Sequence, residues 1–289
     1  MKAKSSFKES AMRIVFLVAA CVSVLAVALI CIFLFANGIP AMKEIGFLDF
    51  LIGDTWRPSN DLYGILPFIL GSIYVTAGAI IVGVPIAILT SVFMAYYCPK
   101  KLYGPLKAGI NLMAGVPSVV YGFFGLVVLV PLVQDVFHLA SGKTMLTASL
   151  MLAIMILPTV VGVIEPALKS VPRSYYEGAL ALGASHSKSV FFTVVPAAKS
   201  GIMAGTVLGI GRAIGETMAV IMIAGNQTAM PSGLLAGVRT MTSNIVLEMG
   251  YASGLHRESL IATGVVLFVF ILIINLCVAL LKRRSENEN

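Results

Sequence analysis

Residues 201–224 read GIMAGTVLGIGRAIGETMAVIMIA, an apolar run that is long enough to cross a bilayer but contains Arg212 and Glu216. A charged side chain at the centre of a membrane helix costs about 2.5–3.5 kcal/mol on insertion scales. On a helix, the two charges would share one face with Gly205 and Gly209, pointing away from lipid. An ion pair that merely joins two helices would explain them. We favour a polar site on a solute pathway, in which Arg212 attracts an anion.

The glycines of this run have the spacing of closely packed helices. Gly201, Gly205 and Gly209 recur every four residues, and Gly211 and Gly215 form a second such pair. Glycines at this interval allow two helix backbones to approach each other within a membrane. We therefore predict helix-packing roles for all five. The start of a dinucleotide-binding motif is also present, but its final glycine is missing.

The composition is typical of a polytopic membrane protein, because 58% of the residues are hydrophobic, 11% are charged and the mean hydropathy is +0.98. The distribution of the net charge of +7 favours contact with the phospholipid surface over nucleic acid. The cysteines and histidines form no disulfide or metal-binding pattern, so we expect no metal and no cofactor. His138, His186 and His256 are predicted to be solvated loop residues.

Six apolar segments predict an all-α integral membrane protein with six transmembrane helices. The predicted spans are residues 14–36, 65–97, 110–133, 146–164, 201–224 and 259–281. Together they form one membrane domain, 14–281, between polar tails at 1–13 and 282–289. Of the 20 Lys and Arg residues, 14 lie on the side of the termini and five on the other. The positive-inside rule therefore predicts a multi-pass protein of the cytoplasmic membrane, with both termini and the long segment 165–200 in the cytoplasm.

That long cytoplasmic segment predicts two short helices. Ser174 and Glu177 have the spacing of a capping box, and Gly183 would end the helix that they begin. Ser185 can cap a second helix, which Pro196 would end near the fifth span. The spacing alone fits a projecting knob and an interfacial amphipathic hairpin about equally well.

Part of this segment resembles the EAA loop of ABC-importer permeases. The matching residues are Glu177, Gly178 and Ala179, followed by Gly183 and Pro196. In that family the loop forms a coupling helix that docks into a groove of the ATPase subunit, so the resemblance implies a type I ABC importer permease fold. The chain departs mildly from the usual pattern at three positions, Gly178, Thr193 and Val195.

Two further motifs, GIGRAIGETMAV at 209–220 and GVPSVVYG at 115–122, resemble the PstC-type permeases of phosphate-specific importers. The resemblance extends over essentially all six predicted spans. It implies that Arg212, Glu216 and Thr217 lie on a pathway for inorganic phosphate. The implied partners are a second homologous permease subunit (PstA-type), two ATP-binding subunits (PstB-type) and an external phosphate-binding protein (PstS-type).

The chain is not expected to be an enzyme. SGKT at 141–144 mimics the end of a P-loop, but the glycine required five residues before Gly142 is replaced by Phe137, so ATP would be hydrolysed by a separate subunit. An intramembrane enzyme would need paired catalytic groups, and no span holds a histidine or a second carboxylate near Glu216.

Two other transport functions stay open. The first is a permease for another oxyanion, such as molybdate or sulfate. The second is a secondary anion transporter, whose inverted repeat is not evident in the sequence. Phosphate fits the residues because Arg212 offers a planar fork of donors to two oxygens. Glu216 could accept a hydrogen bond from a P–OH group, which a sulfate-like anion lacks, or hold Arg212 in place when the path is empty.

Overall fold

The structure, a computed structural model, describes residues 7–287, and nearly all of its regular structure is helical. Residues 1–6 and 288–289 of the two predicted tails lie outside the described residues, as do the side chains of the basic triplet at 282–284. The elements before residue 140 are α1 (Phe7–Ile45), α2 (Phe47–Ile52), the strands β1 (Trp56–Arg57) and β2 (Leu62–Tyr63), α3 (Leu66–Val92), α4 (Lys100–Gly115), α5 (Ser118–Phe124) and α6 (Val130–Phe137).

The second half of the chain is helical as well. Its elements are α7 (Met145–Ser170), α8 (Arg173–Ala181), α9 (His186–Ser189), α10 (Val195–Ala197), α11 (Lys199–Gly215), α12 (Met218–Ile223), α13 (Met241–Glu248) and α14 (Gly254–Asn287). Three π-helical segments extend or join these helices. They are Phe93–Tyr97 after α3, Gly125–Leu129 between α5 and α6, and Val190–Val194 between α9 and α10.

Five helical segments of the described chain are long and apolar enough to cross a membrane. They are Ala11–Ile45, Leu66–Tyr97, Ser118–Phe137, Met145–Ser170 and Gly254–Cys277. A sixth exists if His186–Ala197 and Lys199–Gly215 are counted as one span, although a bend of 70° separates them. The predicted all-α fold of an integral membrane protein is therefore confirmed.

The predicted third span, 110–133, has the wrong bounds. Helix α4 begins ten residues earlier at Lys100, and the chain then breaks at Val116 and Pro117 before α5 starts. Proline has no backbone N–H and disfavours helical geometry in the residue before it. Val116 is accordingly extended, with φ −70° and ψ 127°. Because both break residues are apolar, hydropathy alone did not reveal the interruption.

The predicted fifth span, 201–224, is not one continuous helix. Helix α11 ends at Gly215, and Glu216 is extended with φ −70° and ψ 130°. A new helix, α12, begins only at Met218. The prediction that Arg212 and Glu216 share one helical face is therefore wrong.

Helix α7 is the centre of the molecule and packs between α3 and α11. Its buried side chains include Met151, Met155, Ile156 and Ile164. A second, smaller core joins α1, α14 and the short β-hairpin around Trp56. Helix α11, which carries Arg212, is one of the helices that pack on α7.

The five predicted packing glycines form two groups. Gly201, Gly205 and Gly209 all face α7, and an added Cβ at Gly205 would lie 2.7 Å from an isoleucine side chain of that helix. Cβ atoms at Gly211 and Gly215 would meet nothing within 4 Å in the described chain. The first group therefore allows α11 to approach α7 closely, while the second leaves an uncovered surface.

Candidate functional site

The break after α11 is held by side-chain and backbone contacts around Glu216. One carboxylate oxygen, Oε1, accepts hydrogen bonds from the backbone N–H groups of Thr217 at 3.1 Å and Ala219 at 3.2 Å. The Thr217 hydroxyl donates to the carbonyl of Gly215, and the Thr242 hydroxyl donates to the carbonyl of Glu216, both at 3.2 Å. Glu216 thus satisfies N–H groups that would otherwise lack partners at the start of α12.

Arg212 lies one turn before this break and contacts α7. Its guanidinium donates a hydrogen bond to the Thr159 hydroxyl at 3.0 Å. Among the side chains that the structure describes, no carboxylate lies within 4.0 Å of Arg212, so the alternative of an ion pair with Glu216 is not formed. The side chain is half-buried, and its other N–H groups contact no acceptor of the described chain. They remain available to an acceptor from outside the chain.

The chain also breaks between α4 and α5, at Val116 and Pro117. The Tyr121 hydroxyl crosses this break and donates to the carbonyl of Met113 at 2.8 Å. Helix α5 packs on α12, where a Cβ at Gly122 would lie only 2.9 Å from a backbone atom. The structure thus brings the two sequence motifs, 115–122 and 209–220, into direct contact.

Two residues of this site were missed by sequence reasoning. Thr159 holds Arg212, and Thr242 contacts the backbone at Glu216. Polar residues of this kind are common in membrane helices and loops, and no spacing singles them out. Only the tertiary packing of α7 and α13 against the break identifies them.

The segment between α7 and α11 forms a helical hairpin, as predicted, but it begins differently. Helix α8 starts at Arg173 directly after Pro172, and no side chain caps it, so the predicted capping box at Ser174 is wrong. Proline has no backbone N–H and is therefore tolerated at the start of a helix, where the first N–H groups have no partner within the helix. Ser185 does cap the following helix. Gly183 has φ +85°, a left-handed conformation that other residues rarely adopt.

The remaining predicted coupling residues lie on the exposed part of this hairpin. Glu177 and Gly178 are exposed on α8, Ala179 is half-buried, and Pro196 lies in α10 just before the 70° bend. Leu182, at the tip, is 91% exposed.

A buried carboxylate fastens α4 to α7 at the same end of the molecule. Glu165 is only 2% exposed and pairs with both Lys107 and Lys169 at 2.6 Å. It also accepts a hydrogen bond from the Tyr103 hydroxyl at 2.8 Å. All four polar groups have partners within the cluster, so we assign it a structural role.

Two segments that were predicted to lie on the non-cytoplasmic side, 37–64 and 225–258, contact each other through Glu248. Glu248 accepts hydrogen bonds from the Trp56 indole at 2.9 Å and from Arg239 at 2.6 Å, and its other contact is His256 Nε2 at 2.8 Å. His256 and His186 are both half-buried and hydrogen-bonded, so the prediction that they are solvated is wrong. Both histidines join separate loops or helices.

The fold is that of a type I ABC importer permease. The chain is similar to solved structures of a bacterial alginate ABC transporter, with a TM-score of 0.66, 16% identity and coverage of 96% of this chain and 97% of that one. It is also similar to the inward-facing MetNI methionine ABC transporter, with a TM-score of 0.63, 16% identity and coverage of 80% and 99%.

Residues 83–287 match the family described as "Binding-protein-dependent transport system inner membrane component", and the chain belongs to this family. It is therefore a membrane-embedded transport subunit. It is 36% identical to the probable ABC transporter permease protein YqgH of Bacillus subtilis over 91% of this chain and 88% of the relative. It is 34% identical to the phosphate transport system permease protein PstC of Mesorhizobium japonicum over 85% and 81%. These relatives confirm the predicted resemblance to PstC-type permeases.

Proposed function

We propose that the chain conducts inorganic phosphate through the cytoplasmic membrane as one permease subunit of an ATP-driven importer. The observation that carries this proposal is that the guanidinium of Arg212 lies in an apolar segment and has no carboxylate partner among the described residues. An uncompensated charge of this kind is costly unless a counter-ion visits it. The 34% identity to a phosphate transport permease supports phosphate as that anion.

The two charged residues would contact different parts of the anion. Arg212 can donate to two phosphate oxygens through its planar fork. Glu216 uses Oε1 to hold the break, whereas no donor of the described side chains and backbone contacts its other oxygen, Oε2. Oε2 is thus free to accept a hydrogen bond from a P–OH group, with the Thr217 hydroxyl nearby. Sulfate carries no proton at neutral pH and would gain nothing from this carboxylate.

Such a site is better suited to the passage of phosphate than to tight binding. One guanidinium, one carboxylate oxygen and a hydroxyl form too few contacts for tight binding, and a path that bound phosphate tightly would release it slowly. We infer that a second, homologous permease subunit completes the pathway. The external phosphate-binding protein then supplies most of the affinity and selectivity.

The hairpin of α8 and α9 is the proposed docking element for the ATP-binding subunits, which would be present in two copies. It is exposed around Glu177 and Gly178, and the apolar side chain of Leu182 at its tip can fill a pocket of a partner. Docking in the cytoplasm agrees with the basic residues of this segment and would place both chain termini on the cytoplasmic side.

The test is phosphate uptake by the complete complex in proteoliposomes. Arg212→Ala should reduce uptake of radiolabelled phosphate to background, while assembly and basal ATP hydrolysis persist. The control is Arg57→Ala, which removes an exposed arginine of the β-hairpin and should leave uptake unchanged. Normal uptake by Arg212→Ala would refute the assignment. Competition by excess molybdate or sulfate would indicate a different oxyanion.

A further inference from the structure

An aromatic cluster formed by Tyr97, Tyr176 and His186 attaches the docking hairpin, α8 and α9, to the C-terminal end of α3. The hydroxyl of Tyr176, on α8, lies 2.7 Å from Nδ1 of His186, on α9. The His186 ring contacts the edge of Tyr97 with ring centroids 4.6 Å apart, and the Tyr97 hydroxyl donates to Ser187 Oγ at 3.2 Å. Tyr97 is the last residue of the π-helical segment that extends α3. Both helices of the hairpin are therefore joined to the same point.

The neighbouring tyrosine continues this connection to the central helix. Tyr96 lies 5.9 Å from Tyr176, centroid to centroid, and its hydroxyl donates to the carbonyl of Leu168 on α7 at 3.2 Å. Further along, α3 packs closely on α7, because a Cβ at Gly83 would lie 3.0 Å from the α7 backbone. Helix α7 carries Thr159, which holds the guanidinium of the candidate site. A continuous series of contacts therefore leads from the hairpin to Arg212.

We propose that Tyr176, His186 and Tyr97 form a linkage that transmits displacement of the docking hairpin to α3 and, through α7, to the anion site. The proposal rests on the proposed docking function of the hairpin. We assign the three side chains a positioning role, because their contacts in the structure are with one another and with neighbouring residues of the same chain. His186 is suited to this role because it is held from two sides, by a hydrogen bond to Tyr176 and by ring contact with Tyr97.

The location of the linkage in a π-helical turn supports this role. A π turn departs from regular α-helical hydrogen bonding, and such turns often occur at functional sites. The segment Phe93–Tyr97 contains Tyr97 of the linkage and the neighbouring Tyr96. A displacement of Tyr97 therefore acts on the irregular C-terminal end of α3. The regular part of α3, which packs closely on α7, would transmit this displacement along the helix.

The alternative is that the cluster merely keeps the hairpin folded. In that case its loss would weaken docking, and less ATP-binding subunit would co-purify with the permease. A linkage makes a different prediction: the subunit stays bound and ATP is hydrolysed, but less phosphate moves per ATP. The ratio of transport to hydrolysis therefore distinguishes the two roles.

The experiment uses the complete complex, with both permeases, the ATP-binding subunits and the external binding protein, in proteoliposomes. Tyr176→Phe removes only the hydroxyl, and His186→Leu removes the ring nitrogens. His186→Asn keeps a polar atom near the position of Nδ1 and is the rescue variant. Tyr175→Phe, at an exposed neighbour outside the cluster, is the matched control. Phosphate transported per ATP hydrolysed and the amount of bound ATP-binding subunit are measured for each.

Tyr176→Phe and His186→Leu should lower the transport ratio about fivefold, the effect of losing one hydrogen bond on a two-state equilibrium. The ATP-binding subunit should stay fully bound, and Tyr175→Phe should behave like the unmodified protein. His186→Asn keeps the hydrogen bond but loses the ring contact, so it should retain a higher transport ratio than His186→Leu. Unchanged ratios, equal losses in the Leu and Asn variants, or release of the ATP-binding subunit would each overturn the linkage. Failure of the docking proposal is detected separately with Leu182→Asp: if that variant still binds the ATP-binding subunit, docking at the hairpin tip is refuted, whatever the cluster variants show.

Discussion

Glu216 has one structural role and one proposed role in transport, and a pair of substitutions can separate them. Its Oε1 satisfies the N–H groups of Thr217 and Ala219 at the start of α12, and its charge is proposed to contact the anion. Glu216→Gln keeps an oxygen that can accept both backbone bonds but removes the charge. Glu216→Ala removes the acceptor altogether. The two variants should therefore differ in stability and resemble each other in lost transport.

The size of the stability difference follows from the two bonds of 3.1 and 3.2 Å. Loss of an N-terminal capping acceptor costs about 0.5–2 kcal/mol in water. The cost lies toward the upper end here, because α12 packs between α5 and α7 and water replaces the lost acceptor poorly. We expect Glu216→Ala to cost about 2 kcal/mol, which lowers the melting temperature by roughly 4–8 °C for a chain of this size. Glu216→Gln should cost less than about 1 kcal/mol, since neutral hydrogen bonds replace charge-assisted ones.

The assay is thermal unfolding of the purified complex in detergent, with phosphate uptake measured in parallel. Glu258→Ala, at an exposed carboxylate outside the site, is the control and should leave both properties unchanged. If Glu216→Ala melts at the same temperature as Glu216→Gln, the capping argument is wrong. If Glu216→Gln transports phosphate at the normal rate, the charge plays no part in the pathway.

Four further substitutions test the packing and the polar contacts of the fold. Gly205→Ala should destabilise the complex by about 1–3 kcal/mol because the new methyl group would overlap a side chain of α7. Gly211→Ala has open space in the described chain and should leave thermal unfolding of the chain unchanged; equal melting of the two would contradict the packing. Glu165→Gln removes the ion pair to Lys107 of α4 as well as the pair to Lys169 within α7, so amide hydrogen exchange in residues 100–115 should become faster, and an unchanged rate would show that the Lys107 pair does not hold this helix. Trp56→Phe removes the indole donor to Glu248 and should cost about 0.5–1.5 kcal/mol in thermal unfolding, whereas no change would mean that the bond is dispensable.

The features that were predictable from sequence are those that local patterns determine. The apolar runs at 65–97 and 146–164 identified α3 and α7 because hydropathy over some twenty residues is enough to recognise a membrane helix. Ser185 was recognised as a helix cap because the bond that it accepts comes from Lys188, only three residues away. Ser174 had equally suitable spacing, but the proline two residues before it started the helix earlier.

The features that were not predictable depend on contacts between distant segments. The run around Glu216 has the composition of a continuous helix, and its break is held partly by Thr242, 26 residues away. The contact between Arg212 and Thr159 joins residues that are 53 positions apart. Tyr97 and Ser187, in the aromatic cluster, are 90 positions apart. No periodicity within a single helix encodes such pairs.

The 70° bend before α11 makes that helix a lever arm. Arg212 lies thirteen residues beyond Lys199, which at a rise of 1.5 Å per residue is an arm of about 20 Å. Rotating the base of such an arm by about 10° would sweep its far end by about 3.5 Å. That sweep exceeds the 3.0 Å between Arg212 and Thr159. A rotation that turned α11 on α7 by this amount would therefore be sufficient to make or break the contact between Arg212 and Thr159.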